Sequence, residues 1–332
     1  MAPRNPGAPL AVVTGAGGHL GGNLVRHLTA SGQPVRAVDL RKSQALEGLD
    51  VEWCQADLRD RASATRALAG ADVVYHLAAV ISIVGDPAGR VWSTNVDAVA
   101  NVAEAALRSG ARRMVHCSSV HAFDIERGGS VDEESPRAIR PGLPVYDRSK
   151  AAGEARLQEV IERGLDAVII NPTGLIGPHD FEPSRMGHFF LALRRRRLRA
   201  VVDGAFDFVD VRDVAAALAG ACARGRRGVS YLVPGHRLSL RDLGRLAARV
   251  TGTPAPRVVV PMALARFGAR AVSGFRGHAG SSRLLTPEGL HALRARFSVV
   301  SRRAEVELDH HPRPIEETLT DLYRWFDLAG YG

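Results

Sequence analysis

An apolar, β-rich run at residues 10–14 passes directly into Gly15-Ala16-Gly17-Gly18-His19-Leu20-Gly21-Gly22, and a helical pattern follows. A chain that leaves a strand through glycine and at once starts a helix fits a strand–turn–helix unit at the edge of a ligand crevice. Gly15 suits the tight turn out of the strand. Gly18 suits close approach of backbone to a pyrophosphate. Gly21 suits packing of the helix on the sheet. The helix start then presents free N–H groups and its positive dipole end to phosphates. Gly17, His19 and Leu20 complete this candidate phosphate cradle.

Downstream, strand-like runs at 35–39, 51–55, 73–77, 113–118 and 166–171 alternate with helical stretches at 21–31, 60–68, 91–109 and 146–163. The strands are continuously apolar, as in a sheet covered on both faces. The fold class is therefore α/β, a Rossmann-type doubly wound parallel sheet with right-handed crossovers. Beyond residue 171 the pattern becomes irregular, with strand-like pieces at 230–233 and 257–260 and helices at 240–251 and 315–328. We expect a nucleotide-binding domain over residues 1–171. A smaller mixed substrate-binding region over 172–332 returns some segments to the sheet.

Composition excludes several classes. With 45% apolar and 24% charged residues, the 332-residue chain is globular and needs no disulfide staples. No run approaches a membrane span, and the Pro-rich start lacks the apolar core of a secretory signal. Cys54, Cys117 and Cys222 fit neither a disulfide framework nor a zinc site, so no metal is expected and a reducing, cytoplasmic setting is the default. The net charge of +9 comes almost wholly from arginine, since Lys42 and Lys150 are the only lysines, and reads as genomic background. The Arg194–Arg197 run lacks interleaved aromatics, and no nucleic-acid partner is expected. His310-His311 reads as a surface pair.

Asp39 ends the second strand, 24 positions past Gly15. A carboxylate there accepts bonds from ribose hydroxyls and repels a 2′-phosphate, which favours NAD. Arg41 and Lys42 follow and keep NADP open as the alternative.

Tyr146 and Lys150 lie four apart at the start of a helix and share one face. About 0.03 such pairs are expected by chance from five tyrosines and two lysines. An ammonium beside a phenol favours the phenolate, so a lowered Tyr146 pKa is expected and the phenol becomes a candidate acid/base. Ser118-Ser119 end the 113–118 strand, at the edge where open α/β sheets bind ligands.

These residues together resemble the extended short-chain dehydrogenase/reductase family, also called the NAD-dependent epimerase/dehydratase family. The resemblance covers essentially the whole chain, including Ala56–Leu58, His76–Ala79, Asn95, Asn171-Pro172-Thr173 and Val209–Val214. It implies Ser119, Tyr146 and Lys150 as the catalytic set, with Lys150 also on the nicotinamide ribose. It implies that Asp57 and Leu58 border the adenine, and that Leu77, Ala78 and Ala79 line the cofactor backbone. Asn95 and Cys117 support the site, Asn95 being equally readable as a buried polar helix residue, and Pro172 and Thr173 border the nicotinamide amide.

Two departures narrow the branch. Val120-His121 stand where sugar-nucleotide dehydratases carry acidic residues. Phe206 stands where many epimerases carry a diphosphate-clamping arginine, which Arg185, Arg212 or Arg276 would have to replace. Asn171-Pro172-Thr173 and Ile81-Ser82-Ile83 are similar to the dihydroflavonol reductase and 3β-hydroxysteroid dehydrogenase branch. The expected activity interconverts a ketone or aldehyde and a secondary alcohol on a small to medium, fairly apolar substrate. Ile81, Ser119, His121, Thr173, His179 and Arg185 are its candidate binding residues, and His188 lies in the same variable region. A nucleotide-sugar epimerase and a non-catalytic dinucleotide sensor are the alternatives. Residues 262–275 read as a cap on the cleft or a membrane contact, without stable insertion. The family resemblance also implies a homodimer.

Overall fold

The protein is described by a computed structural model covering residues 9–82, 85–265, 293 and 297–331. Strands β1 (Ala11–Thr14), β2 (Val35–Asp39), β3 (Glu52–Gln55), β4 (Val73–His76), β5 (Arg113–Cys117), β7 (Ala167–Pro172) and β11 (Ser230–Val233) form one sheet in the order β11-β7-β5-β4-β1-β2-β3. All six pairings are parallel. The order reverses between β1 and β4, which places a crevice outside their carboxyl ends.

Helix α1 (His19–Ala30) packs with α7 (Val211–Arg224) on one face. The other face carries α2 (Arg61–Ala67), α4 (Ala98–Ser109) and α5 (Val145–Glu162). Val13, Val115 and Ile170 enter the first core, while Val12, Met114 and Ile169 enter the second. Both sides of each strand are thus buried, which accounts for the continuous apolar runs in the sequence.

The second half adds α7 and β11 to this layer. A separate core lies under smaller sheets. These comprise β6 (Gly129–Val131), β8 (Gly174–Ile176), β9 (Ala200–Val202), β10 (Ala205–Asp210), β12 (His236–Ser239), β13 (Val258–Val260) and β14 (Phe297–Val299). Helices α6 (Arg185–Arg194), α8 (Leu240–Thr251) and α10 (Ile315–Leu328) cover them, while α9 (Arg302–Leu308) packs against α7 and β11. Arg194 pairs with Asp327 and Arg195 donates to the Tyr331 carbonyl, so half of the arginine run fastens α6 to the chain terminus. Met262 and Ala265 pack on Val202; residues 266–275 of the expected cap, with Ile83 and Arg276, lie outside the described residues. His310 is not on the surface: it is buried, with Nε2 bonded to the Pro234 carbonyl, whereas His311 is exposed.

The expected single helix over 91–109 is broken into α3 (Arg90–Trp92), a π-helical segment at Ser93–Asp97, and α4. The wider turn carries Asn95, whose Oδ1 accepts from Val80 N at 2.8 Å and whose Nδ2 donates to Val80 O at 3.0 Å and Ser149 Oγ at 3.0 Å. Single π turns mark functional positions often enough to warrant attention. Helix α5 approaches this segment through Gly153, where an added Cβ would sit 2.2 Å from the Asn95 carbonyl oxygen. Gly153→Val should therefore lower stability by about 1–3 kcal/mol, the usual effect of forcing atoms into a packed contact. Denaturant unfolding measures this, and a midpoint equal to that of the unmodified protein would contradict the packing account.

Candidate active site

Residues from four elements converge at the carboxyl end of the sheet. Gly15 leaves β1 with φ of +67°, and a Cβ there would lie 2.7 Å from Ala78 N. A Cβ on Gly21 would meet the Gly15 carbonyl oxygen at 2.0 Å. Only a glycine turn permits this geometry, and it leaves Gly18 exposed at the start of α1. Thr14 Oγ1 accepts from Leu77 N and Ala78 N at 3.2 and 3.4 Å, tying the turn to the chain after β4. Asp39 Oδ2 accepts from Gly17 N at 2.9 Å and Oδ1 from Leu40 N at 2.7 Å, so this carboxylate braces the turn as well as facing the crevice. The cradle fits a dinucleotide: backbone approaches closely where phosphates need it, and an acid stands at the ribose position.

Other expected cofactor residues divide. Ala78 and Leu77 are at the turn, and Ala79 follows them. Asp57 is paired with Arg59 at 2.6 Å, and this bond holds its carboxyl below the ordinary range. Leu58 is buried beside it. Arg41 is paired with Glu182 at 2.5 Å rather than standing free for a 2′-phosphate. His19 Nε2 meets the Pro178 carbonyl at 3.0 Å, and Asn23 Nδ2 donates to the same oxygen. The loop after β8 is therefore fastened to the start of α1.

The Lys150 ammonium is buried and donates to the Cys117 carbonyl at 3.1 Å. Two of its N–H donors remain for the hydroxyls of a ribose. Burial pulls its pKa below the usual value, opposed by Cys117 and Glu154. Burial also pushes the Cys117 thiol up to about 11, which removes it as a nucleophile. Beneath the lysine, His76 and His116 sit opposite each other on β4 and β5 with rings stacked at 5.4 Å. Burial, reinforced by the lysine charge, drops His76 to about 3; burial, the other ring and the lysine take His116 well below its usual value.

Tyr146 departs from expectation. Its pKa is raised, chiefly because the phenol is withdrawn from water, with Asp147 and Cys117 adding to the effect. A hydrogen bond with Ser119 and the charge of Arg185 oppose it. Desolvation of the phenol, which residue spacing does not report, outweighs the neighbouring charges. The Tyr146 hydroxyl therefore stands protonated, as a proton donor requires. Ser119 Oγ also accepts from His121 N at 3.2 Å, which leaves its own hydrogen for another acceptor.

Among the expected substrate residues, Ile81 and Arg185 come together near Tyr146: an Arg185 N–H donates to the Ile81 carbonyl at 3.3 Å, and its charge is felt at the phenol. His121 stacks on Phe206 at 5.7 Å and meets the Tyr146 ring edge-on at 5.6 Å. Its Nδ1 lies 3.1 Å from Asp147 Oδ1, a pairing the sequence argument missed because the two residues are 26 positions apart. Thr173 Oγ1 is committed to Asp207 at 2.6 Å. His179 is committed to Asn23 and to the rings of Phe181 and Trp325, with burial lowering its pKa to about 4. Exposed His188 lies on α6. Arg212 is held by Asp210 and Asp321, so it cannot replace the arginine missing at Phe206.

A dinucleotide cradle, a Tyr–Lys helix and a serine on the adjacent strand end define a short-chain dehydrogenase/reductase site. The family model for the NAD dependent epimerase/dehydratase family matches residues 11–233, and the chain belongs to this family of enzymes. It is 42% identical over 253 residues to "Sterol demethylase protein B" of Methylococcus capsulatus, covering 75% of this chain and 77% of that one. It is 30% identical over 326 residues to "Putative dihydroflavonol 4-reductase" of Synechocystis sp., covering 96% and 95%. The crystal structure of gox2253 superposes with a TM-score of 0.83 at 28% identity, over 97% of this chain and 99% of that one. No helix among the described residues is long and apolar enough to cross a membrane, and none of their His, Cys, Asp and Glu side chains form a group of three that would hold a metal.

The stacked histidines make an acid-stability prediction. An unfolded histidine titrates near 6.5, whereas the folded pair stays neutral far below it. Between about pH 6.5 and 3 the unfolded chain binds more protons, so stability falls as pH falls through that window. Denaturant midpoints from pH 7 to 4.5 should decline, and His76→Gln should flatten the decline. An equal slope in the variant would contradict the assignment.

Proposed function

We propose that this enzyme interconverts a ketone and a secondary alcohol on an apolar, ring-bearing substrate, with NAD(H) as cofactor. The observation that carries the reading is the convergence of Ser119, Tyr146 and Lys150 beside an aromatic wall of His121 and Phe206. Phe206 packs further on Phe208 and Phe297, so its ring belongs to the core under the smaller sheets and offers no charge to a diphosphate. The names of two relatives, with a sterol in one and a dihydroflavonol in the other, agree with a ring-bearing apolar substrate.

Gly15, Gly18 and the start of α1 would hold the phosphates of the cofactor, Asp39 one ribose and Lys150 the other, and the bound nicotinamide would supply or accept the hydride. In reduction, the Ser119 hydroxyl donates a hydrogen bond to the substrate carbonyl oxygen and fixes its orientation. The Tyr146 hydroxyl gives its proton to that oxygen as negative charge develops there. Lys150, held by the Cys117 carbonyl, stabilises the resulting phenolate. Thr173 and Asp207 lock the β7–β8 corner that borders the site. The expected homodimer is carried into this reading, with α4 and α5 as its face.

NADH oxidation measured with a 3-ketosteroid, a dihydroflavonol and UDP-glucose tests the reading. Turnover with one of the ring ketones is expected, and Tyr146→Phe should lower kcat/KM by about 10²-fold or more while NADH affinity is kept. Epimerisation of UDP-glucose without ketone reduction would overturn the substrate assignment. NADH binding with no turnover on any of the three would favour a sensor, and full activity in Tyr146→Phe would overturn the chemistry.

A further inference from the structure

The ammonium of Lys150 needs an opposite charge that its nearest neighbours do not give. From β4 it faces His76, and from β5 His116 and Cys117. Both imidazoles are neutral at physiological pH, and so is the thiol. One turn earlier on its own helix, Tyr146 is a protonated phenol. One turn later stands Glu154, whose side chain is only 5% exposed and whose charge is felt at Lys150. Residues four apart on a helix share a face.

Glu154 is hydrogen-bonded through one oxygen and ion-paired through the other. Oε1 accepts from Asn171 Nδ2 at 2.6 Å, and the same amide nitrogen donates to the Ser119 carbonyl at 3.0 Å. Oε2 lies 3.1 Å from Arg137 Nε. Arg137 in turn donates to Ser230 Oγ at 3.0 Å and lies 3.9 Å over the Phe123 ring. It lines a surface cleft with Glu133, Glu134, Arg226 and Arg303. A continuous polar connection therefore runs from the serine peptide through a buried carboxylate to the surface.

We propose that Glu154 is a positioning residue that supplies the counter-charge for the Lys150 ammonium and, through Asn171, fixes the peptide of Ser119. Arg137 neutralises part of that carboxylate, so the Arg137–Glu154 balance sets how much negative charge Lys150 feels. A simple structural tie between α5 and the 136–144 loop would need the Arg137 bond alone. It would have no effect on the lysine.

The proposal rests on the reading that Lys150 holds a ribose of the cofactor, and the test separates the two. NADH affinity, followed by its fluorescence from pH 7 to 10.5, should be level and then fall as Lys150 loses its proton. Glu154→Gln keeps an acceptor for Asn171 but removes the charge. It should move the midpoint of that fall downward by at least about half a pH unit, roughly a threefold change in proton occupancy. Arg137→Gln leaves the carboxylate less neutralised and should move the midpoint upward. A structural role alone would weaken binding at every pH and move neither midpoint. An unmoved midpoint in folded Glu154→Gln, or shifts of the same sign in both variants, overturns the proposal. Should Glu154→Gln fail to fold, Arg137→Gln decides, and a midpoint unmoved or lowered overturns it. A flat profile in the unmodified protein overturns the ribose role of Lys150, and the proposal with it.

Discussion

A buried ammonium at the end of the central strands governs the architecture around it. Lys150 lies beneath the surface with Cys117 O as its hydrogen-bond acceptor. An ammonium out of water is costly unless bonded and balanced. The fold meets that demand with a strand-end carbonyl, two imidazoles held neutral, and a carboxylate one turn along the helix. The close approach of α5 through Gly153, the widened turn carrying Asn95, and the Asn171 bridge all bring that helix against the sheet. Tyr146 and Ser119 are consequences of the same arrangement, because one rides on that helix and the other follows the end of the strand it covers.

The substrate side obeys a different logic. His121 and Phe206 form an aromatic face beside the phenol, Asp147 lies against the imidazole, and Arg185 with Ile81 closes another edge. Loop residues 178–184 cross from this side to the cofactor turn, with Pro178 bonded to His19 and Asn23 and Glu182 paired with Arg41. This loop thus links the aromatic side to the glycine turn, and the charge of Arg41 is met within the chain.

Much of this was legible in the sequence where one local pattern determines one local structure. The turn at Gly15, the acid at Asp39, β2 and β11, and the helices at 240–251 and 315–328 follow from apolar periodicity and glycine placement. What escaped depends on pairing between distant segments. The His121–Asp147, Glu154–Arg137 and His76–His116 contacts join residues whose spacing carries no signal. The π turn at Ser93–Asp97 is set by bonds between Asn95 and Val80, which no helical periodicity encodes. The short strands β8 and β9 hide in Gly-, Pro- and Arg-rich sequence because their stability comes from the core under the smaller sheets rather than from their own composition. The Tyr146 pKa was misjudged for a related reason: burial is a property of the whole packing, whereas the lysine four residues on is visible in the sequence.

The central claim is that a buried lysine holds a cofactor ribose while the adjacent phenol faces the nicotinamide. A crystal structure with NAD⁺ bound tests it most directly. The account predicts Lys150 Nζ within about 2.7–3.2 Å of ribose hydroxyls with its Cys117 bond kept, and the Tyr146 hydroxyl turned to the nicotinamide face. A pyridine ring seated away from Tyr146, with Lys150 touching no part of the ligand, would contradict it.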